Sequence, residues 1–476
     1  MKRYALTLAV LLLVANTYGG SVVHFKISKP FCVLNFLRAA GNDAHVSRTL
    51  IAYVRRHVPT ADSARFYKAV NSFMQIELDN SFTWTEYPTL RQKPKSLAAI
   101  INNAAIQCNS IEEFLNRTTG LLPNEQWQQL RNAMQTAAPV YEKMMSGYAA
   151  AMNNQLAALE TYAEEADNIF YQLKKFYGSS WGDDIPFTVG LFGIPGAKGN
   201  TNAAPYSNSL ALGVLTEETN HKERMGVAIH EICHVLYEEQ PLKLQRRLDS
   251  VFAANKSAYA RYAYGYLDEA LATACGNGWA YAQLAGSLDT AAWYDDDYIN
   301  RFAKALYSEV KRYIKAGKTL DKAFVNKAVL TFERTFPDAI YDYANLLNSV
   351  NLYTDAPTHD VFNDLYNSLS RHVRMTNSNA SYPIADKETQ DRIDNEEGTQ
   401  LFIVHSNHAE NFGVLKKKFP QIADLDAGKE GIASFYDNRK RPVIVINVRS
   451  TERVEEAAQK MMTIGKMNPN QLFYPL

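Results

Sequence analysis

The sequence predicts an α+β protein: a mixed sheet carrying one helix with metal-ligand spacing, a helical region before it and a small α/β domain after it. Three observations carry this. Apolar residues recur at helical spacing from about Pro30 to Tyr177, short apolar runs between glycine-rich turns begin at Gly178, and strand and helix patterns alternate beyond residue 385.

Taken in order, the chain opens with Lys2-Arg3, an apolar run from Ala5 to Ala15 and small residues at Gly19 and Gly20. This is the pattern of a secretory signal peptide over residues 1–20, and it predicts a secreted or periplasmic mature chain. The run is short for a bilayer span, and no later stretch is long and apolar enough to make one. Cys32 lies too far beyond the run to suggest a bacterial lipoprotein. Residues 21–180 read as a mainly helical region, preceded by a short strand over Val22 to Ser28 and broken at Pro59, Pro88, Pro94, Gly120 and Pro123. Its longest helices are expected over Tyr141 to Leu159 and Tyr162 to Phe176.

Residues 181–384 read as the domain that carries the chemistry. Ile185 to Phe192 is a strand, GIPGAKGNTNAAP is a loop without phosphate-binding spacing, and Ser209 to Leu215 is a second strand leading into a helix. An edge strand beside a metal cleft would hold an extended peptide by backbone hydrogen bonds; an ordinary hairpin is the alternative. Helices follow over Leu244 to Ala254, Ala258 to Ala274, Asp297 to Ala316, Asp321 to Phe336 and Asp360 to Val373. Eight of the twelve residues from Asp386 to Glu397 are charged, which marks a linker reachable by proteases and a domain boundary. Residues 385–476 then give strand Leu401 to His405, helix Glu410 to Phe419, strands Ile432 to Tyr436 and Pro442 to Val448, and helix Glu452 to Met462, a βαββα accessory domain. His405 and His408, at a strand end, read as surface histidines rather than a second metal site.

With 50 basic and 50 acidic residues the formal charge is zero, so nothing points to nucleic acid or an anionic membrane. Four cysteines are too few for a disulfide framework. Cys32 and Cys108 could pair in an oxidising compartment, and Cys233 reads as a small buried hydrophobe.

The chemistry lies in NHKERMGVAIHEICHVLYEEQ, residues 220–240, which contains His230-Glu231-Ile232-Cys233-His234. Two histidines four apart lie on one helix face, about 6 Å apart along its axis, so both imidazoles reach one metal ion with Glu231 beside it. Asn220 and Glu223 have capping-box spacing, Met225, Ile229, Ile232 and Leu236 recur at core-facing intervals, and Pro241 ends the helix. A catalytic zinc takes a third protein ligand. Glu238 lies about 12 Å along the axis from His230, too far for one ion. Between Arg261 and Asp289 the only charged residues are Asp268 and Glu269, in an apolar run, and a carboxylate buried there needs a partner. Glu269, with 34 residues between it and His234, fits best.

HEICH followed by DEALATA resembles the gluzincins, thermolysin-like zinc metallopeptidases of the zincin superfamily. A metzincin would carry histidine and glycine where Gln240 and Tyr237 stand. The resemblance covers roughly residues 181–300 and implies a zincin-like catalytic domain, Zn²⁺ held by His230, His234 and Glu269, and Glu231 as general base. Asp268 stands where the family has asparagine, and Thr273 where thermolysin-like enzymes have the aspartate that supports a zinc histidine, so the groups behind the ligands are unassigned. NSLALGV lacks the aminopeptidase Gly-x-Met-Glu-Asn signature, which favours an endopeptidase. Tyr341, Tyr343, Tyr353 and His359 are candidates for the oxyanion. The expected function is that of an exported zinc-dependent peptidase acting on peptide or protein substrates; the alternative is a non-catalytic exported zinc-binding module on the same fold.

Overall fold

The computed structural model describes residues 21–88, 91 and 95–476. The expected signal peptide and Pro94 lie outside the described residues. The chain folds as two units of mixed helix and sheet: residues through Lys256 with Ala263–Thr331, and Ser257–Tyr262 with Phe332–Leu476. Among the described residues no helix is long and apolar enough to cross a membrane.

The first unit is built on strands β1 (Val23–Lys26), β4 (Phe187–Ile194), β5 (Ala203–Tyr206) and β6 (Ser209–Leu215), with a two-stranded hairpin of β2 (Ser81–Phe82) and β3 (Lys95–Ser96) apart from them. The sheet order is β1-β4-β6-β5. β1, β4 and β6 run parallel, with Leu191 opposite Leu212, and β5 closes the edge antiparallel to β6, with Ala204 opposite Ala211. All of β6 and all of β4 except Thr188 are buried, as strands covered on both faces must be. Helices Lys29–Ala40 and Leu97–Gln107 pack on the sheet, and helix His221–Glu238 packs against β5 and β6.

Two expectations are corrected here. Residues 21–180 are not a region of their own, because β1 is the parallel partner of β4 and a parallel pair needs a long crossover, which the intervening helices supply. The helix expected over Tyr141 to Leu159 is interrupted: helix Asn124–Met145 passes through a 3₁₀ turn at Ser146–Tyr148 into helix Ala149–Glu160. Gly147 lies in that turn, where its backbone freedom weakens a continuous helix.

The second unit holds a six-stranded sheet of β7 (Ser349–Thr354), β8 (Asn377–Ser381), β9 (Thr399–Val404), β10 (Gly431–Tyr436), β11 (Pro442–Asn447) and β12 (Phe473–Pro475), in the order β12-β10-β11-β9-β7-β8. β8, β7, β9 and β11 are parallel; β10 is antiparallel to β11 and β12. Strand side chains alternate between two cores. Leu352, Ile403, Ile444 and Ile446 meet Leu365 and Leu369 of helix His359–Ser370 and Val454 and Met461 of helix Thr451–Ile464. Tyr353, Phe402, Val404, Val443 and Val445 meet Ile393 of helix Lys387–Asn395 and Phe412 and Leu415 of helix His408–Lys418.

The five elements expected for the βαββα domain form, but the domain begins near Phe332 rather than at residue 385, and β7, β8 and β12 extend its sheet. The charged stretch is not a linker. Asp386 caps helix Lys387–Asn395, Ile393 is fully buried, and Arg392 pairs with Glu396 at 2.6 Å. The charges line the outer face of an amphipathic helix whose inner face reaches the core.

Candidate metal centre

Helix His221–Glu238 starts where Asn220 caps it: Asn220 Oδ1 accepts from the Glu223 amide at 3.3 Å, and Asn220 Nδ2 donates to Glu223 Oε2 at 3.0 Å. Met225, Ile229, Ile232 and Leu236 are fully buried, each contributing about 1.5–3 kcal/mol through the area removed from water. That face fixes the rotation of the helix and, with it, the direction of His230 and His234, which are also buried.

The third element is helix Ala260–Thr273, which continues as one turn of π-helix, Ala274–Ala280. The two helices meet through glycines. A Cβ on Gly276 would lie 2.5 Å from the His230 amide nitrogen and 2.6 Å from the Gly226 carbonyl oxygen, so only glycine admits this approach.

The approach brings the predicted ligands together. His230 Nε2 and His234 Nε2 are 3.1 Å apart, and Glu269 Oε2 lies 3.6 Å from each. A tetrahedral zinc with bonds of about 2.0–2.1 Å sets its donors roughly 3.4 Å apart, so the triangle has the size the ion requires. His230, His234 and Glu269 are the one such group of three among the described residues.

The rings are held from behind. His234 Nδ1 lies 3.0 Å from Asp268 Oδ1, and His230 Nδ1 lies 3.1 Å from Asn277 Oδ1. With each Nδ1 donating to one of these oxygens, Nε2 is the ring atom that faces Glu269, and it can bind a metal ion when it carries no proton. Glu269 Oε2 is buried and makes no hydrogen bond, which is costly for a carboxylate oxygen, although the side chain as a whole keeps 37% of its surface exposed. The donor set therefore fits a borderline divalent ion such as zinc.

In the metal-free chain a proton supplies the positive charge that these carboxylates favour. Burial acts to lower the pKa of His234, but the Asp268 and Glu269 carboxylates overcome it and hold the ring at about 10. Burial would raise Glu269; His234 and His230 overcome that and take it well below the ordinary carboxylate range. His234 favours its charged form because Asp268 and Glu269 are beside it, and Glu269 because the two histidines are.

Glu231 follows His230 on the helix and is half-buried, and no hydrogen bond or ion pair to a described residue ties its carboxylate. Tyr294 stacks on His230 with ring centroids 5.8 Å apart. Glu238, set aside on distance, pairs instead with Lys95 at 2.7 Å. Asn277 and Tyr294 were not legible as site residues; Asn277 stands one turn beyond Thr273, within Gly276-Asn277-Gly278, whose polarity in an apolar helix is the one available signal.

Two oxyanion candidates are committed elsewhere. Tyr343 and Tyr353 are fully buried in the second unit, with hydroxyls on Ser434 at 2.7 Å and Glu396 at 2.9 Å. The possible disulfide is also corrected: all four cysteines are free and buried, and the Cys32 thiol donates to the Leu191 carbonyl at 3.5 Å. Cys233 is fully buried, as expected of a small hydrophobe, and burial pushes its thiol well above the ordinary range.

No protein-family model, curated protein or solved structure matches this chain.

Proposed function

We propose that this chain is a zinc-dependent peptidase of gluzincin type, with His230, His234 and Glu269 as ligands and Glu231 as general base. The observation that carries the reading is the triangle of Nε2, Nε2 and Oε2 atoms, 3.1, 3.6 and 3.6 Å on its sides, with both Nδ1 atoms facing fixed oxygens. A zinc ion bound there supplies Lewis acidity, lowering the pKa of a bound water and polarising a substrate carbonyl.

The remaining work belongs to the chain. Glu231, one residue after the first ligand and free of other bonds, takes a proton from the attacking water and returns it to the leaving amine. Asp268 and Asn277 hold the imidazoles in the tautomer that leaves Nε2 available. β5 is an edge strand, paired on one side with β6, and its other side offers backbone groups to an extended peptide. An internal stretch of polypeptide suits such an edge, which favours endopeptidase action.

The experiment is cleavage of a mixed peptide library by the zinc-loaded full chain and by Glu231→Gln. Cleavage by the first and not the second is expected. Zinc content of one per chain with no cleavage of any library would replace this reading with that of a zinc-binding module.

A further inference from the structure

We propose that a cavity at the C-terminal end of helix His221–Glu238 is a subsite for a basic side chain of the substrate, a lysine or an arginine, with Glu239 and Trp84 as the residues that recognise it. Its part in cleavage rests on the peptidase reading above; the cavity and its chemistry do not. The volume is about 150 Å³, and the walls include Trp84, Tyr87, Arg91, Lys95, Glu238 and Glu239. A cavity of this order takes a group about as large as benzene, which is the scale of one side chain.

The helix itself relates the cavity to the metal centre. From Arg224 to Glu238 only Val227, Glu231 and Glu238 are not buried, so the helix opens to solvent along a single stripe. Glu238 stands seven residues after Glu231. Seven residues turn a helix through about 700°, close to two full turns, and advance it by about 10.5 Å. The cavity therefore lies on the stripe that carries Glu231. An extended peptide rises about 3.3 Å per residue, so a chain passing Glu231 along this stripe presents a side chain to the cavity about three residues from the bond being cut.

The outer wall belongs to the β2–β3 hairpin, and it is anchored. Arg246 Nη2 donates to the Glu86 carbonyl at 2.9 Å, and Lys95, which opens β3, pairs with Glu238 at 2.7 Å. Arg91 lies over the Tyr237 ring at 3.3 Å and donates to the Tyr237 carbonyl and, at 2.7 Å, to Gln240 Oε1. Its charge thus serves the end of the helix, where the carbonyl dipoles are negative. Arg91 Nη1 makes no hydrogen bond but is shut away from solvent, so an anion in the cavity does not reach it.

The remaining charges favour a cation. One ammonium, Lys95, serves two carboxylates: it lies 2.7 Å from Glu238 and 4.0 Å from Glu239, whose side chain keeps 42% of its surface exposed. Burial raises the Glu239 pKa, Lys95 opposes that and Glu238 adds to it, so a further positive charge beside Glu239 is stabilising. Trp84 is 47% exposed. An open aromatic face beside a carboxylate holds an ammonium or guanidinium and packs against its methylene stem.

The test uses blocked octapeptides in which each position in turn holds lysine, norleucine or glutamate. Binding to zinc-loaded Glu231→Gln is read by fluorescence anisotropy, which needs no turnover, and kcat/KM is read with the wild type. At one position lysine should be favoured over norleucine about tenfold or more, the worth of one charge-assisted hydrogen bond. Adding Glu239→Gln should bring that ratio close to one, and Trp84→Ala should lower it. Equal binding of the lysine and norleucine peptides, no binding of either, a preference for glutamate, or a full preference retained in Glu239→Gln would overturn the proposal. A binding preference that holds while the wild type cleaves nothing would keep the subsite and sink the peptidase reading instead.

Discussion

Asn277 places its Oδ1 3.1 Å from His230 Nδ1, eight residues after Glu269 and across a turn of π-helix. That stretch winds more loosely than an α-helix and re-aims the side chains within it, so the group behind His230 comes from Asn277 and not from Thr273. Asn277→Ala should leave the fold intact and weaken zinc binding about 10–100-fold, as loss of a group behind a ligand does. Competition with a chromogenic chelator measures this; unchanged affinity would show that Asn277 packs without supporting the site.

Replacing Glu231 by glutamine keeps its size and hydrogen-bonding capacity and removes its basicity. The variant should bind zinc normally and lose about 10²–10⁴-fold in kcat against any peptide the wild type cleaves. An activity loss matched by a loss of zinc would instead make Glu231 part of the metal's support.

Gly276→Ala should be severe for its size. The added Cβ meets the backbone of His230 at 2.5 Å, and backbone cannot swing aside. Overpacking of this kind costs about 1–3 kcal/mol or more. A lowered melting temperature together with weakened zinc binding is expected; a variant as stable as the wild type would mean that the two helices can part without consequence.

The metal-free protein should show a pH dependence with a definite sign. His234 is raised from 6.5 to about 10, so its contribution to stability is fully present below pH 6.5 and is lost as the pH rises through 10. Glu269 is lowered from 4.5, so its contribution is present above pH 4.5 and is lost as the pH falls towards its depressed value. Denaturant melts of chelator-treated protein should give a stability difference between wild type and Asp268→Asn that shrinks from pH 6.5 to 10. A difference that grows over this range would contradict the pairing.

Much of this was legible in the sequence, for reasons that can be named. Met225, Ile229, Ile232 and Leu236 give helix His221–Glu238 its face, Asn220 and Pro241 give it ends, and two histidines four apart must share that helix's surface. Glu269 stood out because it is one of only two charged residues in a long apolar stretch. Asp268 stood out with it, though not as the group behind His234; Asn277 did not stand out, because a π-helical stretch shifts register without changing composition. The domain boundary failed for a different reason: Asp386 to Glu397 has the charge of a linker, and only Thr389 and Ile393 betray its buried side. β8, Asn-Ser-Asn-Ala-Ser, has no strand pattern because it is an exposed edge strand that β7 holds by backbone pairing, and that pairing leaves no trace in side-chain chemistry.

The most direct measurement is the zinc content of the untagged, purified full chain and of Glu269→Ala, by mass spectrometry of the metal. The wild type should carry one tightly held zinc per chain, retained through dialysis against weak chelators. Glu269→Ala should lose it, since two imidazoles without the carboxylate hold the ion far more weakly. Full zinc content in Glu269→Ala would contradict both the ligand assignment and the peptidase reading built on it.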